Sequence, residues 1–298
     1  MRGGELLDKT ELVDPAYVAA ADCAPKLRKV PWKAWSAVAA CLLLAAISAA
    51  VFQAYHRPIA PICQLPMMGA ASDIPGGPRK FLNYNGCQYV FIENASPFAL
   101  TQAHLGEPLG QLEYDILADR EANSARDYAA TFAVGGTIYR MTGYDPDFRI
   151  AVEFEGNYYI CEKTGHTDGS ALDPAALFQA ADFKKNVTEI ILYDHFGREE
   201  LGRLSGKDTK RLIELLAQAS PASLTGEDYE AIGAAQRSGE SFLAAFQLPD
   251  TTRYTLYVIP SLSLTMIGNG RYTIPEEFHP AFDSVFDALG QTPVERIS

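Results

Sequence analysis

Residues 34–55 carry no charged side chain and are built largely from Ala, Leu, Val, Ile and Phe. A helix over this run, rising about 1.5 Å per residue, covers roughly 33 Å, enough to cross a hydrocarbon core of about 30 Å. A buried soluble helix of that length normally keeps a polar face, and here only Ser36, Ser48 and Gln53 remain to form one. The sequence therefore predicts one transmembrane helix at 34–55. Lys26, Arg28, Lys29 and Lys33 precede the run, whereas Arg57 alone follows it closely, which places the N-terminus inside. Trp32, Trp35 and Tyr55 suit the two interfaces. A cleaved signal peptide competes, through small residues such as Ser48 and Ala50, but 33 residues are long for a signal n-region. An uncleaved anchor is expected.

The span divides the charge. Of 25 basic and 37 acidic side chains, residues 1–33 hold six and five, leaving 19 against 32 for the remainder. An external part this acidic is not expected to bind nucleic acid or an anionic surface by bulk electrostatics. Cys23 lies in the tail, Cys41 in the run, and Cys63, Cys87 and Cys161 beyond it. One external disulfide with one leftover thiol is allowed, and no pair has metal-ligand spacing.

Within the tail, 1–33, Leu6, Leu7, Leu12, Val13, Tyr17 and Val18 fit a short helix interrupted near Pro15, with Leu12, Val13, Tyr17 and Val18 as a candidate partner-binding edge. Residues 56–80 carry Pro58, Pro61, Pro66, Pro75 and Pro78 with Gly69, Gly76 and Gly77, the composition of an extended linker. Two lobes are expected after it, an antiparallel β lobe at 81–165 and an α+β lobe at 166–298.

In the first lobe Asn85-Gly86 marks a hairpin turn returning through Cys87 to Ile92. Gly135-Gly136 predicts a second hairpin, between 131–134 and 137–141, and Glu155-Gly156-Asn157 a third, between 150–154 and 158–162. A further strand is expected at Leu109 to Tyr114, completing a small sheet or partial barrel. In the second lobe Asp173-Pro174 opens a helix. A strand pair follows at 187–193 and 199–204, then a helix from Asp208 to about Ala219. Strands are expected at 241–248 and 254–259, and Pro280 opens a terminal helix on which Phe282, Val285, Phe286 and Leu289 share a face. The external fold class is thus α+β.

Motifs for chemistry are absent from the local sequence. Gly202 to Asp208 has three residues between its glycines and Asp208 where a phosphate-binding loop needs Ser or Thr, so it reads as a turn capped by Asp208. His56, His104, His166, His195 and His279 show no zinc-protease spacing, and His195 sits in a turn, Tyr193 to Arg198. There is no G-x-S-x-G element, and Cys161 falls in a predicted strand with no base nearby. Asp145-Pro146-Asp147, with Asp168 or Asp173, falls short of the six to eight oxygens calcium takes and reads as a turn. No metal, cofactor or catalytic residue is expected. Tyr139, Tyr144, Phe148, Tyr158 and Tyr159 form the densest aromatic cluster, and Tyr139, Tyr144, Phe148 and Tyr158 are its candidate ligand platform. Alternation puts Tyr158 and Tyr159 on opposite faces, so one of them belongs to the core.

Gly135 to Tyr139, then Gly143-Tyr144-Asp145-Pro146-Asp147-Phe148-Arg149-Ile150-Ala151-Val152, then Gly156 to Ile160, resembles external domains of uncharacterised single-pass proteins from clostridia-like bacteria, as does the preceding Gly106-Glu107-Pro108-Leu109-Gly110. Leu12 to Val18, a basic stretch and then an anchor is similar to the start of membrane-bound anti-sigma-like proteins of those bacteria, without the zinc-binding His and Cys set. The resemblance implies an envelope sensor or anti-sigma-like regulator: anchored in the bilayer by 34–55, binding a wall component or small ligand outside and a cytoplasmic protein such as a sigma factor inside. A passive anchored binding or structural module is the alternative, and an anchored envelope hydrolase the third class.

Overall fold

The computed structural model describes residues 47–48, 59–62 and 79–290. The tail, nearly all of the expected span and most of the expected linker lie outside them. No helix among the described residues is long and apolar enough to cross a membrane.

The chain is α+β with two antiparallel-rich sheets. The first holds β1 (Phe81–Tyr84), β2 (Cys87–Phe91), β3 (Leu105–Gln111), β4 (Tyr114–Asp115), β5 (Ala129–Ala130), β6 (Thr137–Met141), β7 (Arg149–Phe154) and β8 (Asn157–His166), in the order β3-β6-β7-β8-β2-β1-β5-β4. Among the described residues only β4 and β5 pair in parallel. The second holds β9 (Glu189–Tyr193), β10 (Glu200–Ser205), β11 (Ser220–Pro221), β12 (Phe242–Gln247), β13 (Arg253–Ile259), β14 (Leu264–Ile267) and β15 (Gly270–Thr273), in the order β10-β9-β12-β13-β14-β15-β11.

Two of the expected hairpins form for the expected reason. Asn85 and Gly86 take φ of 51° and 69°, and Glu155 and Gly156 take 51° and 75°, the paired positive values of a two-residue turn that matches strand twist. The hairpin expected at Gly135-Gly136 does not form. Residues 131–134 lie outside the named strands, and β6 pairs with β3 and β7 instead. Gly136 serves close packing: a Cβ there would stand 2.8 Å from the Glu153 carbonyl oxygen and 2.9 Å from that of Ala133. The strand expected at 109–114 starts earlier, at Leu105, and carries Pro108 at the sheet edge, where a missing N–H costs no ladder bond.

Alternation along β7 and β8 gives the first sheet two buried faces. Ile150, Val152, Tyr159 and Cys161 point into one cluster with Leu82, Tyr89 and Phe91. Ala151 and Ile160 point into a larger one shared with the second sheet and the helices. Phe183 is the hub of that larger core. Its ring lies 5.6 Å from Phe148 of the first sheet's lobe, 5.4 Å from Phe246 of β12, and 4.8 Å from Phe178. The helix Pro174–Ala180 begins as expected, with the Asp173 side chain accepting from Ala175 N–H. The helix Lys207–Ala217 starts from Gly206 at φ 60°, so glycine makes the turn assigned above to Asp208, which lies in the first helical turn without capping it. The helix Gly226–Ser238, in a stretch with no predicted element, is set by a capping box between Thr225 and Asp228. In the terminal helix Phe278–Gly290, Phe278, Phe282 and Phe286 form the buried stripe.

Two polar contacts fix one sheet to the other. Arg149 of β7 is fully buried, and its guanidinium pairs with Glu162 of β8 and, at 3.0 Å, with Asp250 in the β12–β13 turn. It also donates to Thr252 Oγ1 at 2.6 Å and lies 5.2 Å from the ring centroids of both Tyr144 and Phe148. Elsewhere the β14–β15 turn inserts Asn269 against the first sheet. Its N–H donates to the Thr164 carbonyl at 2.7 Å, its Nδ2 to Gln88 Oε1 at 2.7 Å, and its Oδ1 accepts from Arg79 at 2.7 Å. Gly268 permits this approach, since a Cβ there would stand 2.4 Å from the Thr164 carbonyl oxygen.

The described part of the expected linker is docked. Ile62 is 5% exposed within the larger core, its N–H donates to the Asp250 carbonyl at 2.7 Å, and its carbonyl accepts from Thr251 Oγ1 at 2.8 Å. Ile59 lies over Gly143, and His104 Nε2 reaches the Pro61 carbonyl at 3.3 Å.

Removing one carboxylate from a buried charge network leaves an uncompensated ion. Asp250→Ala should therefore lower unfolding free energy by about 3–5 kcal/mol in urea titrations. A loss below about 1 kcal/mol, the scale of an exposed pair, would show that the network does not hold the sheets together.

Candidate functional site

The first cleft, about 470 Å³, is lined by Asp145, Asp147, Lys163, His166, Asp173 and Leu177 among others. It opens between the loop before β7, the end of β8 and the helix Pro174–Ala180. Its polar groups are largely committed to one another. Asp147 pairs with Lys163 at 2.9 Å, the Asp145 carboxylate accepts from Asp147 N–H at 2.9 Å, and Asp173 caps its helix. These turn and cap bonds match the reading of Asp145-Pro146-Asp147 as a turn, and among the described residues no group of three or more His, Cys, Asp or Glu is arranged to hold a metal.

Behind this cleft Cys87 Sγ sits 3.6 Å from His166 Nδ1, because β2 and β8 place the two residues opposite each other. The pairing looks like a thiol and its base, but its electrostatics oppose that role. Burial pushes the Cys87 thiol up more than the neighbouring Lys163 ammonium pulls it down. Thiolate is the reactive form, so Cys87 is suppressed. Cys161, fully buried, is raised further by the same cause. Both are free thiols, so the disulfide allowed by sequence does not join them.

The candidate aromatic platform is divided by burial. Phe148 is 0% and Tyr144 3% exposed, so both belong to the core around Arg149 and present no ring face to a ligand. Tyr139 and Tyr158 are half-buried against the larger core. Tyr159, on the face opposite Tyr158, is buried in the other cluster, as alternation requires. The tail residues Leu12, Val13, Tyr17 and Val18 lie outside the described residues. His195 stays in its turn, where Asp194 accepts from Arg198 and Glu199 N–H, and its ring contacts Ser241 Oγ at 3.0 Å.

A second cleft, about 420 Å³, lies on the second sheet's side of the molecule and is lined by Phe242, Pro260, Ser261, His279, Asp283 and Phe286 with flanking acids. His279 Nε2 lies 2.8 Å from Ser263 Oγ, and its Nδ1 lies 3.0 Å from Asp283 Oδ1. The helix Phe278–Gly290 supplies the last two residues at an i, i+4 spacing, which puts them on one face. Ser263 follows the 3₁₀ turn Pro260–Leu262 and takes φ 50°, a left-handed conformation costly for a non-glycine residue. Its N–H bond to the Pro260 carbonyl and its carbonyl bond from Ile274 N–H, 2.9 and 2.8 Å, hold it there. This cluster is invisible to local motifs, because Ser263 and His279 are 16 residues apart and meet only through the β14–β15 hairpin. The legible signal is His279 and Asp283 at an i, i+4 spacing, which a helix opening at Pro280 leaves out; the helix in fact begins at Phe278 and includes His279.

Comparison with protein-family models, curated proteins and solved structures finds no match to this chain.

Burial also raises the phenols of Tyr89, Tyr144 and Tyr254. For these groups and Cys161 the folded pKa lies above the unfolded one, so their contribution to stability is complete below the unfolded values, about 8.5 for thiol and 10 for phenol. It is lost as pH rises through that range and beyond. The urea midpoint should fall steadily between about pH 9 and pH 11, and Cys161→Ala should flatten the lower part of that fall. Equal midpoints across the range would contradict the burial of these groups.

Proposed function

We propose that this chain is a single-pass envelope protein, anchored by 34–55 with its N-terminus cytoplasmic, whose external α+β body binds a wall component or small ligand and whose tail acts as an anti-sigma-like regulator of a cytoplasmic protein. The observation that carries this reading is the docked segment 59–62. A body that passes a signal to its anchor needs a segment without slack between them, and Ile62 is held through its N–H by the Asp250 carbonyl and through its carbonyl by the Thr251 hydroxyl, both in the β12–β13 turn. Asp250 holds Arg149, and Arg149 directly follows the Asp145-to-Phe148 loop that lines the first cleft. A ligand that shifts that loop acts on a charge network anchored in the same β12–β13 turn whose backbone carbonyl and Thr251 hydroxyl seat Ile62, seven residues beyond the end of the charge-free run at Tyr55.

Topology is checked by cysteine labelling in a chain stripped of its other cysteines. Phe196 is 68% exposed, so Phe196→Cys should react with a membrane-impermeant maleimide in intact cells, while Cys23 should react only after permeabilisation. The opposite pattern reverses the orientation.

The tail is checked by pull-down from membranes. If Leu12, Val13, Tyr17 and Val18 bury as one helical edge, each contributes about 1–3 kcal/mol to the contact. Leu12→Asp with Val13→Asp should release a specific cytoplasmic protein that the intact tail retains, without disturbing insertion. If neither version retains one, the passive anchored module is the better reading.

A further inference from the structure

We propose that Ser263, His279 and Asp283 form a serine acyl-transfer site: Ser263 the nucleophile, His279 the base and Asp283 the residue that positions the imidazole. A serine hydroxyl is a weak nucleophile until a neighbouring base accepts its proton, and that base must hold its free lone pair toward the hydroxyl. Both requirements are met in the observed geometry. With Asp283 accepting from Nδ1–H at 3.0 Å, His279 is fixed as the tautomer whose Nε2 is free to accept from Ser263 Oγ at 2.8 Å. Ser263 projects from a left-handed backbone held by bonds on both sides, as nucleophilic serines on strained turns do.

The cleft that His279 and Asp283 line, with Ser263 adjoining it through His279 and not itself among the lining residues, restricts the substrate. Phe242 and Phe286, with ring centroids 5.0 Å apart, give it an apolar wall, and Glu240, Asp283 and Asp287 make its rim acidic. An uncharged or cationic ester fits these walls, and an anionic acyl group is repelled. In the reaction Ser263 Oγ bonds to the ester carbonyl carbon while its proton passes to His279 Nε2. The carbon–oxygen bond to the leaving group then breaks, and His279 returns the proton to the departing alcohol. Water, deprotonated by His279, attacks the acyl-serine, releases the carboxylic acid and restores the hydroxyl. The imidazole is 38% and the carboxylate 47% exposed, so water for the second step has access and charge stabilisation is modest. Slow turnover is the expected consequence.

The full-length chain in detergent, treated with a fluorophosphonate probe, should be labelled at Ser263 as mapped by mass spectrometry. Ser263→Gly, which suits the left-handed φ and so preserves the fold, should abolish the label. His279→Gln should slow labelling by about 100-fold or more. Asp283→Asn admits the tautomer with its proton on Nε2, so it should slow labelling too, whereas Asp283→Glu, which keeps a carboxylate, should restore part of the rate. With p-nitrophenyl acetate as the ester, release of the phenol should follow the same ranking. Absence of label at Ser263 in wild-type chain with an intact cooperative transition overturns the proposal. So does label on the exposed Ser261 instead, or a His279→Gln rate equal to wild type.

Discussion

The buried guanidinium of Arg149 is the constraint around which this fold is arranged. A cation taken fully out of water is tolerable only where carboxylates and hydrogen-bond acceptors replace its hydration. Glu162 comes from the neighbouring strand of the same sheet, but Asp250 and Thr252 come from the other sheet's turn, so satisfying the charge requires the sheets to be packed in one way. Burial acts to lower the Arg149 pKa, and the Glu162 and Asp250 charges overcome it, leaving the value raised. Glu162 is itself raised, since its own desolvation outweighs the attraction of Arg149. The network is thus costly to build and more costly to break in part, which makes it a specifier of arrangement more than a source of net stability.

Three structural features converge on that charge. Tyr144 and Phe148 cover it with their rings, the Asp145–Asp147 turn leads into it along the chain, and Ile62 is seated by the backbone of Asp250. The Phe183 hub and the Asn269 insertion brace the same two sheets from other points, so the junction is held by apolar packing as well as by charge. A segment leading toward the charge-free run is therefore attached beside this charge network.

The two histidine pairs beside the two clefts have opposite character. Cys87 and His166 meet across a ladder in a buried setting that keeps the thiol protonated. Ser263 and His279 meet at a half-exposed turn, and the imidazole's second nitrogen is occupied by a carboxylate. Proximity of a nucleophile to an imidazole is common to both. What separates them is the carboxylate on the second nitrogen of His279 and the burial that raises the Cys87 thiol.

The sequence by itself determined the features that depend on a few adjacent residues. The Asn85-Gly86 and Glu155-Gly156 turns, the Asp173-Pro174 helix start and the opposite facing of Tyr158 and Tyr159 follow from local φ preferences, capping chemistry and the two-residue period of a strand. Composition gives 34–55 as an expected membrane-length apolar run, nearly all of which lies outside the described residues. The tertiary structure decided whatever depends on residues far apart in the chain. Arg149 within a hydrophobic strand gives no local sign that Asp250, 101 positions away, will neutralise it. Gly135-Gly136 has hairpin composition, yet Gly136 packs closely against Glu153; the β14–β15 hairpin does carry a local sign in Gly268-Asn269-Gly270, but nothing local shows that it delivers Ser263 to His279 and Asn269 to Thr164. Local steric preferences act over a turn or two of chain, whereas charge neutralisation and side-chain relays depend on which surfaces the folded core brings together.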